Sequence, residues 1–290
     1  MEKIQSAIAK ARAQRAEQSG TPVPAAATPA ATPAAPARAA APAPVSSPAP
    51  SGDTDAAWDA LASADLSLRR LRAQRIVTLD RNREAAEFDK LRTRMLQQRQ
   101  ANNWRRVAIT SPGPASGKST IVLNLGFSLS RQSRSRTVIC EMDLRKPSLR
   151  KITGLKTDCD FVEVVNGNAP FADHGLRLKP NLAVGMAQSP VSMPAELLQD
   201  AKLGATLDEM EATYDPTVMM FDMPPFQVSD DMMAFADKVD CVMIVAAAEK
   251  TKMPELDACE REISNVTNVL GIVLNKCRYA SPESSYDYYG

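Results

Sequence analysis

SPGPASGKST (Ser111–Thr120) follows the β-rich run RVAIT (Arg106–Thr110) and precedes Ile121–Gln132, a segment of helix-forming residues. Strand, glycine-bearing loop, Gly-Lys-Ser and helix, in that order, is the arrangement in which backbone N–H groups converge on a phosphate. The helix N-terminus adds partial positive charge, Lys118 neutralises the β and γ oxygens of a nucleotide, and Ser119 offers its hydroxyl to Mg²⁺. Gly113, Pro114, Ala115, Ser116, Gly117, Lys118, Ser119 and Thr120 are thus the candidate phosphate cradle, with ATP and Mg²⁺ as the expected ligands. One feature departs from the common pattern: Gly113 lies four residues before Gly117 instead of five, and Pro112 takes the expected glycine position.

Outward from this loop, short apolar runs alternate with amphipathic helical stretches. The runs are Arg106–Thr110, Thr137–Glu141, Leu182–Met186, Thr217–Phe221, Cys241–Ala246 and Leu270–Asn275. Near-continuous apolar strands separated by helices predict an α/β fold, a doubly wound, mostly parallel sheet with helices on both faces. Before the first run, Ala56–Arg75 and Asn82–Gln100 read as helices. The second carries Phe88, Leu91 and Met95 at spacings of three and four, a face for packing on the domain.

Two further strands end in acid. CEMDLRKPSL (Cys140–Leu149) sets Glu141 and Asp143 on the same side of an extended chain, with Arg145 just beyond. FDMPPF (Phe221–Phe226) places Asp222 after four apolar residues, the position from which a carboxylate holds Mg²⁺ beside a phosphate loop. Carboxyl ends of such strands face the crevice where α/β folds bind ligands.

Composition bounds the remainder. Thr21–Pro50 is almost wholly Ala, Pro, Thr and Ser with one charge, Arg38, and cannot bury a core. About 30 residues of extended polyproline geometry at ~3.1 Å each would span on the order of 90 Å, which suits a tether. Met1–Gln18 reads as a short amphipathic helix with Met1, Ile4, Ile8 and Ala11 on one face, either a poorly ordered end or a docking peptide. With 35 Lys+Arg against 34 Asp+Glu the net charge is +1, so no global field draws the chain to nucleic acid. The five cysteines lie far apart, as isolated thiols of a reducing compartment do, and the single histidine, His174, has no partner at a metal-binding spacing. No run of about 18 apolar residues is present, so the expected location is cytoplasmic.

The order TSPGPASGKST, EMDLRKPSL, SMPAELL (Ser192–Leu198), FDMPPFQVSDD, GIVLNK and a tyrosine-rich end resembles the bacterial protein-tyrosine kinases of polysaccharide export, from about Ala86 to Gly290. The resemblance implies an ATP-dependent autokinase. Lys118, Ser119, Glu141, Asp143 and Asp222 would act on ATP·Mg²⁺, with Ser119, Glu141 and Asp222 as metal ligands. Glu141 replaces the family's aspartate at that place. Arg145 matches the family's arginine beside the acidic pair, and Asn275 its adenine-reading asparagine. The end of the chain, CRYASPESSYDYYG, holds Tyr279, Tyr286, Tyr288 and Tyr289, four of the five tyrosines, as phosphoacceptors between neighbouring subunits. Each phosphate would add about −1.5 to −2 charges and loosen an assembly.

Family rings use a glutamate and two arginines spaced by three; the matching positions here are Ala86, Asp89 and Arg92, and another register would use Glu87, Lys90 and Arg94. The implied partners are other copies of the chain, a separate membrane-bound activator of the polysaccharide co-polymerase type that recruits it to the inner membrane's inner face, and a tyrosine phosphatase. Residues 1–20, 21–55, 56–102, 103–276 and 277–290 are then the terminal helix, linker, helical lead-in, kinase domain and tyrosine tail. Two other readings share the same loop. One is an ATP-hydrolysing switch like the partition and septum-placement ATPases, whose early-loop signature lysine is here Gly113; the other is an ATP-binding scaffold with little kinase activity.

Overall fold

The computed structural model describes residues 52–80 and 82–277. The expected terminal helix, the Ala/Pro stretch up to Pro50 and the tyrosine cluster from Tyr279 lie outside the described residues. In chain order the elements are α1 (Gly52–Ala60), β1 (Ala62–Ser63), α2 (Leu68–Ala73), α3 (Arg83–Asn102), β2 (Arg106–Thr110), α4 (Lys118–Ser130) and β3 (Thr137–Glu141). Then come α5 (Leu149–Thr153), α6 (Phe161–Val165), α7 (Phe171–His174), β4 (Gly175–Lys179), β5 (Leu182–Gly185), α8 (Pro194–Gln199) and α9 (Ala201–Tyr214). The last are β6 (Val218–Asp222), α10 (Asp231–Phe235), β7 (Cys241–Ala247), α11 (Met253–Ser264) and β8 (Asn268–Asn275).

The strands form one sheet in the order β1-β4-β5-β3-β6-β2-β7-β8. All neighbours are parallel except β4 and β5. The apolar runs are buried on both faces because alternate residues feed two separate cores. Ala108, Val138, Met219, Phe221, Val242 and Ile244 enter one core, with Leu203 and Leu207 of α9 and Leu256 of α11. Val107, Ile109, Ile139, Met220 and Met243 enter the other, with Ile121, Leu125 and Phe127 of α4 and Met95 of α3. The doubly wound, mostly parallel expectation therefore holds, and α3 packs through the face expected of it, with Phe88 and Leu91 partly buried beside Met95.

The lead-in differs from expectation. A continuous helix over Ala56–Arg75 does not form; the chain breaks at β1, which pairs with β4 at the sheet edge, and Ala64 N donates to Arg177 O at 2.9 Å. Ser67 then caps α2 by accepting from Arg70 N. Helix propensity loses here to the unpaired edge of β4, whose backbone groups need partners. Trp58 of α1 is buried in the first core, with its indole N–H on Tyr214 O at 2.8 Å. Leu71 and Ile76 are buried in the second. The lead-in thus wraps round the sheet edge from one face to the other. The strand β4 (GLRLK) was not expected either; its two charges among five residues hide the apolar pattern.

The polar fastening of the lead-in to α4 centres on one residue. Asn124, fully buried, accepts from Val77 N at 2.8 Å and Thr78 N at 3.2 Å, and donates to Arg75 O at 3.0 Å and Thr120 O at 2.8 Å. Asn124→Ala strands Val77 N, Thr78 N and Arg75 O, since Thr120 O keeps its helical partner, and unmet buried groups cost about 1–3 kcal/mol each before relaxation. The expected loss is about 3 kcal/mol in urea unfolding; a loss below about 1 kcal/mol would show that the clamp is not structural.

Between α3 and α4, Asp89 receives Arg92 at 3.1 Å, Ser128 Oγ at 2.6 Å and Arg131, and Arg92 also donates to Ser128 O at 3.0 Å. The one arginine retained from the family's ring pattern is thus engaged within its own subunit. Glu87 and Lys90, of the other register, pair on the exposed side of α3.

Candidate functional site

The loop between β2 and α4 can be accounted for carbonyl by carbonyl. Ser111 O accepts from Phe226 N and Pro112 O from Gln227 N. Gly113 O accepts from the hydroxyls of Ser111 (2.7 Å) and Ser116 (3.0 Å). Pro114 O takes Lys250 Nζ (3.1 Å), Ala115 O takes Lys276 Nζ (2.7 Å), and Ser116 O takes Asn275 Nδ2 (2.8 Å). Gly117 O accepts from Ile121 N in the first turn of α4. None of these bonds uses an N–H of the loop itself. A loop whose carbonyls are held without spending its own N–H groups presents those amides as a nest for an anion.

This also accounts for the irregular glycine spacing. A Cβ at Gly113 would meet nothing within 4 Å, so glycine is not required there. The left-handed positions are Ala115 (φ 59) and Gly117 (φ 92), and a Cβ at Gly117 would lie 2.4 Å from Asn275 Nδ2. Nothing in the local sequence marks Ala115 as left-handed; the bonds to Pro114, Ala115 and Ser116 from Lys250, Lys276 and Asn275 hold it there.

Strands β3 and β6 are neighbours with Glu141 opposite Asp222, so the two acidic ends reach the loop together. Lys118 is 7% exposed. Burial lowers its pKa, while the charges of Asp222 and Asp143 oppose that. Asp222 is fully buried, and neither carboxylate oxygen has a well-formed hydrogen bond among the described residues. Burial raises its pKa to about 7, only partly offset by the nearby Ser119 hydroxyl and Lys118. Asp143 is half-buried; burial raises it and Lys118 lowers it.

The three carboxylates have different tasks. Glu141 is fully buried and accepts from Ser148 N and Leu149 N (2.7 Å) through one oxygen and Ala187 N (3.0 Å) through the other. Burial takes its pKa to about 7, with Asp222 adding to the rise and the three amides resisting it. One oxygen serves the turn that leads from β3 to α5, and the other ties β3 to the segment after β5. Ser148 in that turn donates to Ser119 Oγ at 2.8 Å, tying the turn to the phosphate loop. Asp143 and Asp222 are left facing Lys118.

Arg145 makes a two-pronged pair with Asp231, 2.8 Å on each arm, and Asp231 is fully buried at the start of α10. It holds the segment after β3 against the segment after β6. Asn275 braces the loop through Ser116, as described. Asp231, Lys250, Lys276 and Asn124 were not singled out by sequence; each acts through a partner remote in the chain. His174 accepts from Asp160 N at 2.9 Å, a structural bond, and all five cysteines are free.

The site fits a divalent cation. Two buried, unbonded carboxylate oxygens on Asp222, beside a hydroxyl and next to a phosphate nest, form the hard-oxygen set that Mg²⁺ shares with phosphate. A cleft of about 780 Å³ opens beside the loop, between Gly117 and Thr120 on one side and Gln74, Arg75 and Lys276 on others. No helix among the described residues is long and apolar enough to cross a membrane.

No family model matches the chain. It is 27% identical over 206 residues to a putative tyrosine-protein kinase CapB of Staphylococcus aureus, covering 70% of this chain and 89% of that protein. It is 29% identical over 178 residues to the tyrosine-protein kinase ptk of Acinetobacter johnsonii, covering 60% of this chain and 24% of that much longer protein. Among solved structures, the VpsO kinase domain superimposes with a TM-score of 0.60 at 25% identity, covering 67% of this chain and 95% of that one. Bacterial tyrosine-protein kinases are homologues of this chain.

Proposed function

We propose that this chain, a homologue of bacterial tyrosine-protein kinases, transfers the γ-phosphoryl group of ATP to tyrosines of its own C-terminal cluster, one subunit acting on the next. The observation that carries this reading is the meeting of Lys118, Asp143 and Asp222 at one phosphate nest, with Asp222 buried and its oxygens unbonded. Lys118 neutralises charge on the transferring group, and the loop amides hold the phosphates in line with the incoming hydroxyl. Asp222 and Ser119 hold Mg²⁺. When bound, the cation supplies charge neutralisation on the phosphate oxygens. Asp143 orients the tyrosine hydroxyl and accepts its proton as the tyrosine oxygen bonds to phosphorus and the bond to the ADP oxygen breaks. Glu141 acts indirectly, by shaping the turn that carries Asp143, and Arg145 by locking that turn to α10.

In this reading phosphorylation of Tyr279, Tyr286, Tyr288 and Tyr289 governs polysaccharide polymerisation and export. A separate membrane-bound activator recruits the chain to the inner membrane through Met1–Gln18, and a phosphatase resets the cycle. Trypsin cuts after Arg278, so one peptide, Tyr279–Gly290, contains all four acceptors. Mass spectrometry of that peptide after incubation with Mg·ATP is expected to find phosphotyrosine. None in wild type, even with the activator's cytoplasmic segment added, overturns the kinase reading, and phosphate release without phosphotyrosine points to an ATPase switch.

A further inference from the structure

We infer that the lead-in segment Gln74–Arg75 is the outer wall of the pocket for the base end of the nucleotide, with Arg75 its base-contacting side chain and Asn124 the positioning residue that sets it there. This rests on the ATP reading above. With the phosphates at Lys118, the rest of the nucleotide must enter an adjoining space, and the 780 Å³ cleft adjoins the loop at Gly117 and Thr120. Its opposite wall comes from outside the strand-loop-helix unit. Arg75 has φ 62, a left-handed turn that ends α2's extension, and Ile76 behind it is anchored in the core. Gln74 and Arg75 are consequently exposed on the cleft side.

Asn124 makes this wall part of the site. Its amide nitrogen donates both to Arg75 O and to Thr120 O, one on the wall and one on the first turn after Lys118. Its oxygen takes the amides of Val77 and Thr78, and Thr78 Oγ1 closes the clamp on Asn124 O at 2.8 Å. One buried side chain thus bonds directly to both the wall and the first turn after the phosphate nest.

The lining suits a flat heterocycle. Ala73, Ala115 and Gly117 present small surfaces, Gln74 offers both a donor and an acceptor to a base edge, and the planar Arg75 guanidinium stacks on an aromatic face. Asn275, expected from the resemblance to read adenine, donates one amide N–H to Ser116 O and keeps its other N–H and its oxygen, so the facing wall would act beside it.

Calorimetric titration of the full chain with ATP and, separately, with inorganic tripolyphosphate distinguishes base from phosphate contacts. Arg75→Ala is expected to weaken ATP roughly ten-fold and leave tripolyphosphate unchanged. Asn124→Asp, which keeps size and acceptors but loses both donated bonds, is expected to weaken ATP more than tripolyphosphate while the circular-dichroism spectrum stays folded. Wild-type ATP affinity in Arg75→Ala, or equal weakening of both ligands, overturns the wall alone. A wild-type chain that binds no ATP overturns the kinase reading and the wall together.

Discussion

Lys118→Met is expected to abolish phosphotyrosine in the Tyr279–Gly290 peptide, a fall of at least about 10²–10³ in rate, the usual cost of losing one preorganised group that stabilises developing charge. Methionine keeps the unbranched apolar stem of lysine and is one atom shorter, so the change removes the ammonium and little else. The ammonium is nearly buried, and Asp143 and Asp222 are the charges that hold its pKa up. The other lysines at the loop, Lys250 and Lys276, are committed to loop carbonyls, and Arg145 is paired with Asp231. Tripolyphosphate binding should fall with the activity, and thermal melting separates loss of the cation from loss of the fold. Undiminished phosphotyrosine in a folded Lys118→Met chain refutes the site assignment.

Asp222→Asn is expected to act in opposite directions on stability and activity. In metal-free protein, burial raises the Asp222 pKa from 3.8 to about 7, so the folded state holds a proton that the unfolded chain releases above its own pKa. The stability linked to that proton is complete below about pH 4 and is lost as pH rises through about 7. The full span corresponds to roughly 4 kcal/mol, an upper figure because the site can relax. Asparagine cannot ionise. With EDTA at pH 8 the variant should melt several degrees above wild type, and the difference should shrink as pH falls and vanish only at about pH 4. Some decline remains in the variant, because Glu141 also has a pKa of about 7; losing the Asp222 charge moves it down. Kinase activity should fall at least about a hundred-fold, since charge neutralisation by the cation is worth several kcal/mol. Added Mg²⁺ should raise the wild-type melting temperature at pH 8 and leave the variant unmoved. Equal melting of the two proteins at pH 8 in EDTA would mean that burial of the Asp222 carboxylate does not cost the empty protein stability.

The combination of a gain in stability and a loss of function has a single origin. A buried carboxylate without hydrogen bonds is costly to the empty protein and useful only when a cation and phosphate arrive. Glu141, one strand away, is just as buried but its oxygens accept from three amides, so they fasten the turn after β3 and the segment after β5 instead. Sequence spacing places both acids at strand ends and cannot tell them apart; the difference lies in whether amides from Ser148, Leu149 and Ala187 come within reach.

What the sequence by itself determined was set by short-range rules. The order of strand, loop and helix around Lys118 is local, alternate residues of an apolar strand necessarily enter opposite faces, and an acidic residue at the end of such a run must lie at the sheet's carboxyl edge. These rules yielded the doubly wound sheet, six of its eight strands and the gathering of Lys118, Asp143 and Asp222. Tertiary structure alone decided where propensity gave way, as at β1, where the edge of β4 recruits two residues from a helical stretch. It alone decided the pairings on which the site depends. Asn275 reaches Ser116 across 159 residues, Arg145 reaches Asp231 across 86, and Asn124 reaches the lead-in across nearly 50. A hydrogen bond is made by groups about 3 Å apart in space, and only the packed sheet brings those residues together.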